Sequence, residues 1–257
     1  MTGTGLSILD GSLPWWLPLS VAAWSFHMVV YHSVGLMFEW CDRRGWLRSF
    51  KARTAERRSY ADLLPRVLFN QCCIMLPAML LCEKAGLAYV GARHLGAARF
   101  AIDLMLMAVG HDVVQYVVHR GLLHQRRCRW LGHAIHHSTG ASRAISACFM
   151  SGADFFLEIV CPYLVPLILI GGGGADLAFH LFVPSAGAIG GLYEHSGYNF
   201  GASRLLSWLP HSLVSSHAHG EHHRRSTVSF SDGFGSPGLC DTIFATRWDL
   251  ASKIERS

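Results

Sequence analysis

Residues 112 to 124 read Asp112-Val-Val-Gln-Tyr-Val-Val-His119-Arg-Gly-Leu-Leu-His124, and after a short basic stretch the chain continues His133-Ala-Ile-His136-His137. The first half is an apolar segment that delivers a histidine at its end. The second sets three histidines at i, i+3 and i+4, so on a helix their imidazoles leave from one face and can converge on one point. His119 and His124 are five residues apart, roughly 140° around an undistorted helix. The helix carrying His119 is therefore expected to bend or end between them, with Gly121 absorbing the backbone change. Asp112 stands two helical turns before His119 on nearly the same stripe, where a carboxylate can orient a ligand imidazole.

Far down the chain His219-Gly-Glu-His222-His223 repeats the i, i+3, i+4 spacing, and His195 stands alone between the clusters in Tyr-Glu-His-Ser-Gly-Tyr. Neutral imidazole is a common ligand for zinc, iron and copper, and a histidine-rich site with almost no cysteine nearby favours those ions over iron-sulfur clusters. A single histidine reads as a hydrogen-bonded or solvated residue, but two copies of His-x-x-His-His beside a His-x4-His read as a metal site. The candidate ligands are His119, His124, His133, His136, His137, His195, His219, His222 and His223. Asp112 and Glu221 are the candidate carboxylates that steady ligand imidazoles. His27, His32, His111 and His180 lie in apolar segments, and His211 and His217 precede the last box. The sequence leaves open whether these six contribute.

Of the 257 residues, 51% are hydrophobic and 15% charged, a balance that points away from a soluble domain. A helix of roughly 20 residues crosses a hydrocarbon layer of about 30 Å, and apolar runs of that length recur at 13–38, 61–81, 98–118, 155–170 and 175–193. The glycines at 171–174 make the last two a hairpin, and Trp15 and Trp16 suit a headgroup interface. With the N-terminus outside, the arginines and lysines of 41–58, 120–143 and 194–257 all fall on one side, leaving mainly Lys84 and Arg93 opposite. By the positive-inside rule that side is cytosolic, and every histidine box falls on it.

The net charge of +5 is read as meeting lipid headgroups, because the basic residues lie between apolar segments without interleaved stacking aromatics. The eight cysteines form no Cys-x-x-Cys pair, which fits a reducing face without disulfides. A short polar start with no basic n-region makes a cleaved signal peptide a poor fit. No repeat or linker divides the chain. The expected architecture is all-α: one polytopic membrane helical bundle over residues 1–257, of about five spans including a hairpin, with a cytosolic helical cap that carries the histidine boxes.

These residues resemble the fatty acid hydroxylase and sterol desaturase superfamily of membrane di-iron oxygenases. The resemblance rests on order: an Asp seven residues before a His-Arg (Asp112, His119), His-x4-His (His124), His-x-x-His-His (His133, His136, His137), an isolated His after a membrane hairpin (His195), and a final His-x-x-His-His (His219, His222, His223). Within the superfamily the chain is most similar to sterol C4-methyl oxidases, through Trp46-Leu-Arg-Ser-Phe-Lys, Leu68-Phe-Asn-Gln, Leu76-Pro, Glu194-His-Ser-Gly-Tyr-Asn-Phe and Asp241-Thr-Ile-Phe-Ala-Thr. It departs where the family has His-Pro-x-Glu after the second box, here Asp154 to Glu158 without the His or Pro. It departs again after the last box, where Asn-(Phe/Tyr)-Gly becomes Ser231-Asp-Gly-Phe-Gly.

The resemblance implies two non-haem iron ions, O2 as co-substrate, and hydroxylation, repeated or single, of an unactivated C–H or methyl group on a lipophilic sterol, terpenoid or lipid. Desaturation and aldehyde deformylation are the alternatives within the superfamily. The chain has no flavin, nicotinamide or haem motif, so an external electron donor of cytochrome b5 or ferredoxin type, with its reductase, is implied. The membrane is the endoplasmic reticulum in a eukaryote or the plasma membrane in a bacterium. A rival from another class is a non-redox membrane metal transporter or zinc-binding protein, which requires a histidine path through the spans. His27, His32, His111 and His180 are its candidates.

Overall fold

The computed structural model describes residues 13–201, 203–206, 208–209, 215–233 and 236–250. Helix α1 (Leu19–Arg44) begins after Pro18 and ends on Gly45 at φ 66°, later at both ends than expected. The residue before a proline is pushed out of the helical region, which keeps residues 13–17 from joining the helix. Two of its first amides, those of Leu19 and Ser20, donate to the Glu83 carboxylate at 2.9 Å each, satisfying donors that a helix start leaves unpaired.

Helix α2 (Tyr60–Lys84) opens on a capping box between Ser59 and Asp62 and supplies that Glu83 at its far end. Helix α3 spans Ala97–Leu123. After the short α4 (Ala134–His137), α5 (Gly152–Leu169) and α6 (Leu177–His195) form the hairpin, and α7 (His217–Arg225) and α8 (Leu239–Ile243) follow. Among the described residues there is no strand, only isolated bridges between Lys51 and Tyr198 and between Ser142 and Ser196.

Three long helices contain one wide π-turn each, at Gln71–Met75, His119–Leu123 and Phe156–Val160. Two have a visible cause. Pro77 and Pro162 stand just beyond them, and a proline inside a helix lacks its amide and clashes with the carbonyl four residues back. Widening the preceding turn relieves that clash.

Four helices, α1, α2, α3 and α5, are long and apolar enough to cross a membrane. Their outer faces expose Phe26, Val29, Phe69, Ile102, Met105 and Val117, the surface of a bundle set in lipid. The expected fifth span, α6, has 19 residues and is less apolar, because His180, Pro184 and Glu194 interrupt it. It packs along α1 with Phe179, His180, Ala188, Gly190 and Leu192 buried. The turn before α6 takes left-handed φ at all four glycines, 87°, 80°, 70° and 63° for Gly171 to Gly174, a conformation side-chain-bearing residues adopt at a cost.

Several polar groups between the helices are paired, as low-dielectric surroundings favour. Asn70 donates to the carbonyls of Cys148 and Met150 at 3.0 and 3.1 Å, His32 meets Tyr60 and Gln71, and Arg99 donates to Asp103 at 2.7 Å. The basic segments gather at one end. Arg53 ties three of them together, donating to the carbonyls of Ala141, Glu194 and Ser216.

Candidate metal centre

The site sits at that end, where α3 stops, α6 finishes, and α4 and α7 lie across. The last turn of α3 closes through a bond from the His124 amide to the His119 carbonyl at 3.1 Å. Such an i→i+5 turn brings residues five apart to one face, so the two rings lie 4.9 Å apart between centroids. The chain therefore meets the five-residue spacing by widening the helix, not by breaking it at Gly121, which stays outside the left-handed region.

Nine imidazoles come together in two nests. Nitrogens of His119, His124, His133, His137 and His222 lie within 4.8 Å of one another, and so do those of His136, His195, His219 and His223. The expectation that each His-x-x-His-His box converges on one point does not hold. His133, just before α4, and His137, at its end, face the first nest, while His136, one residue from His137, faces the second. In α7 the split is reversed, with His219 and His223 in the second nest and His222 in the first. Each box thus feeds both nests.

Hydrogen bonds fix the tautomers in the first nest. The Nδ1–H of His119 donates to the Phe230 carbonyl at 2.7 Å, that of His222 to the Val228 carbonyl at 2.8 Å, and that of His133 to Asp154 Oδ1 at 3.0 Å. Neutral His119 and His222 rings so held offer Nε2 as an acceptor. The Nε2 atoms converge: His119 Nε2 faces His133 Nε2 at 3.1 Å, and His222 Nε2 faces those of His124 and His137 at 3.2 and 3.1 Å. Imidazole nitrogens gathered on one point in this way form the donor set of a metal site. In the second nest the ring nitrogens of His136 and of His223 are buried with no hydrogen-bond partner, and His195 and His219 face each other through Nε2 at 2.7 Å. A buried polar atom without a partner is costly. Both nests therefore fit a metal ion.

Burial holds the imidazoles neutral. His124 is lowered to about 3 and His137 to about 4 by desolvation, with the neighbouring His133 adding to the shift. His136, His219, His222 and His223 are also pushed well down, by burial first. His133 goes the other way. Burial opposes its charge, but Glu158 and Asp154 outweigh that and raise it to about 10.

The two carboxylates expected to steady imidazoles are engaged elsewhere. Asp112, buried on α3, accepts from the amides of Leu239 and Cys240 at 3.0 and 2.9 Å and from Ser236 Oγ at 2.9 Å. It holds the start of α8 against α3, where an anion suits the exposed amides. Glu221 turns to Arg224 and Arg225 at 2.6 and 3.1 Å. The carboxylates at the nests are Asp154 and Glu158, one turn apart near the start of α5. Their signal in the sequence is a pair of acids at i and i+4 opening an apolar run.

The other described histidines stay out of the nests. His27 meets the Pro184 carbonyl at 3.1 Å and His180 the Gly174 carbonyl at 3.0 Å. His32 has the partners given above, His111 is exposed, and His217 lies edge-on to Trp248 at 4.4 Å. His211 falls outside the described residues. His27, His32, His111 and His180 belong to none of the groups of metal-ligating side chains found among the described residues.

Comparison with known proteins gives one match. Residues 104–246, more than half of the chain, match the model of the family described as fatty acid hydroxylase, and the matched region encloses all nine nest histidines together with Asp154 and Glu158. No curated protein and no solved structure matches. A polytopic helical bundle with this histidine end, matched over that length, belongs to the fatty acid hydroxylase family, an integral membrane protein of the hydroxylase and desaturase type.

Proposed function

We propose that the chain is a membrane-bound, non-haem di-iron oxygenase that hydroxylates an unactivated C–H or methyl group of a lipophilic sterol, terpenoid or other lipid with O2 and external electrons. The observation that carries this reading is the pair of imidazole nests, five and four rings, with Nε2 atoms converging in the first nest and unpartnered ring nitrogens in the second. His119, His124, His133, His137 and His222 hold one ion; His136, His195, His219 and His223 hold the other. Iron bound there supplies the O2-dependent oxidation that side chains alone cannot perform.

The chain's own residues hold, orient and shield. The carbonyls of Phe230 and Val228 and the carboxylate of Asp154 keep three rings in the tautomer that offers Nε2, a task such partners commonly perform around metals. Burial of His119, His136 and His222, each at 2% exposure or less, keeps water from the imidazoles. The nests lie at the end of the apolar bundle, which suits a substrate that arrives from the bilayer.

Electrons come from outside. A surface cavity of about 550 Å³ at the same end is lined by Arg43, Arg44, Arg48, Lys51 and Arg143 among others, a basic face that suits an acidic carrier of cytochrome b5 or ferredoxin type. The same basic residues support a cytosolic placement of this end.

Metal analysis of detergent-purified protein tests the reading, and about two iron ions per chain are expected. Membranes bearing the protein should show NADH-dependent O2 uptake, and product analysis over a sterol and terpenoid panel should give a hydroxylated product. His136→Ala and His222→Ala should each remove one ion and abolish turnover while the protein still inserts. Normal turnover in either variant would remove that histidine from the site. Zinc in place of iron, with no O2 uptake, would overturn the oxygenase.

A further inference from the structure

Glu158 lies between the two nests. Its Oε1 is 3.6 Å from Nε2 of His119, in the first nest, and 3.8 Å from Nε2 of His136, in the second. Two donor atoms that each sit about 2.1 Å from one metal are themselves about 3.0 to 3.5 Å apart. Glu158 Oε1 is thus only a few tenths of an ångström beyond ligand spacing from a nitrogen of each nest.

Its second oxygen is in ion-pair reach of one ring but makes no hydrogen bond. Oε2 lies 3.3 Å from His133 Nδ1, but that ring nitrogen is already directed to Asp154 at 3.0 Å, and Oε2 is buried without a hydrogen-bond partner. The residue as a whole is 4% exposed. An ionised carboxylate so enclosed needs cations around it, and its neighbours are the imidazoles of His119, His133 and His136 and the carboxylate of Asp154, a second anion in the same enclosure. The turn of helix supplies the position: Phe156–Val160 is the π-turn ahead of Pro162, and Glu158 stands at its centre.

We propose that the Glu158 carboxylate is a ligand shared by the two metal ions, a tenth donor that bridges the nests and makes them one centre. Two-metal sites commonly hold their ions about 3.5 to 4 Å apart, a span one carboxylate can cover. The proposal rests on the two-metal reading above and assigns Glu158 a role that the histidine pattern does not contain. Asp154 has a different part, as the acceptor that orients His133.

The test uses full-length protein in detergent, stripped of metal and titrated with Co2+ under argon. Metal binding is followed by elemental analysis and by infrared difference spectra of loaded minus metal-free protein. Wild type should take up two ions and shift one carboxylate band pair, and the pair should move when the protein carries 13C-glutamate but not 13C-aspartate. Glu158→Gln should lose that pair and bind both ions at least tenfold more weakly. Asp154→Asn should keep the pair.

Persistence of the bands in Glu158→Gln would overturn the bridge, as would wild-type affinity for both ions or weakening at one ion only. If Glu158→Gln does not accumulate folded, the labelled wild type decides alone, and bands indifferent to 13C-glutamate overturn the proposal. Wild type that binds fewer than two ions defeats the di-metal reading itself, an outcome visible without any variant.

Discussion

The Nδ1–H of His119 donates to the carbonyl of Phe230 at 2.7 Å, joining the last turn of α3 to a loop 111 residues further on. That carbonyl is held in turn by Asp241. Its carboxylate, fully buried, accepts from the amides of Phe230, Ser231 and Asp232 at 3.0, 2.6 and 2.9 Å and from Thr246 Oγ1 at 2.6 Å. Asp241 touches no imidazole, yet it sets the acceptor that fixes the His119 tautomer. Asp241→Asn exchanges one carboxylate oxygen for a donor that opposes the amides. It is expected to lower metal affinity about 10- to 100-fold, the usual effect of disturbing a group behind a ligand. Metal titration of the purified variant measures this, with helix content by circular dichroism unchanged.

Asp112 and Glu221 should separate cleanly. Asp112→Ala strips acceptors from the amides of Leu239 and Cys240, and an unsatisfied buried donor costs about 1 to 3 kcal/mol. A loss of about 2 to 4 kcal/mol is expected in thermal or denaturant unfolding, felt first where α8 docks on α3. Glu221→Gln disturbs ion pairs with arginines, one of them largely exposed, and pairs near a surface contribute about 0 to 1 kcal/mol. Its stability, metal content and turnover should stay near wild type.

Metal loading should release a proton. His133 is raised from 6.5 to about 10, against the pull of burial, by Glu158 and Asp154. In the metal-free protein its charged form therefore contributes stability that is complete below about pH 6.5 and is lost as pH rises through about 10. A ligand imidazole must be neutral, so an ion displaces that proton. Apparent Co2+ affinity is expected to rise with pH between 6.5 and 8.5, by up to about tenfold per unit. His124 and His137, lowered to about 3 and about 4, are already neutral there and add no slope. Titration in weakly buffered solution should count about one proton per first ion.

Gly220, inside the last histidine box, has a reason in packing. The Arg53 guanidinium lies directly over it, where a Cβ would collide. Arg53 also holds the carbonyls of Ala141, Glu194 and Ser216, so displacing it loosens the end of α6 and the start of α7 together. Gly220→Ala is expected to cost about 1 to 3 kcal/mol and to weaken the nest that contains His195, His219 and His223 before the other. Stepwise metal loss on a chelator gradient reads this order.

The sequence by itself marked out the candidate ligands, because spacing along the chain is a local property: His133, His136 and His137 stand within about one helical turn whatever surrounds them. It also determined the bundle, since apolar runs long enough to cross a bilayer and basic segments collected between them are properties of composition along the chain. Helices α2, α3, α5 and α6 lie within a few residues of the runs that announced them. What the sequence did not carry is the division of labour. That each box serves two nests depends on the angle at which α4 and α7 lie across the end of the bundle, and angles between elements are set by packing. Backbone carbonyls such as those of Phe230 and Val228 have no side-chain signature at all, so their hold on His119 and His222 exists only once the chain has folded back. The same holds for the acids. Asp112 stands on the expected stripe but turns to α8, while Glu158 reaches the nests because a proline-relieving turn of α5 is placed beside them.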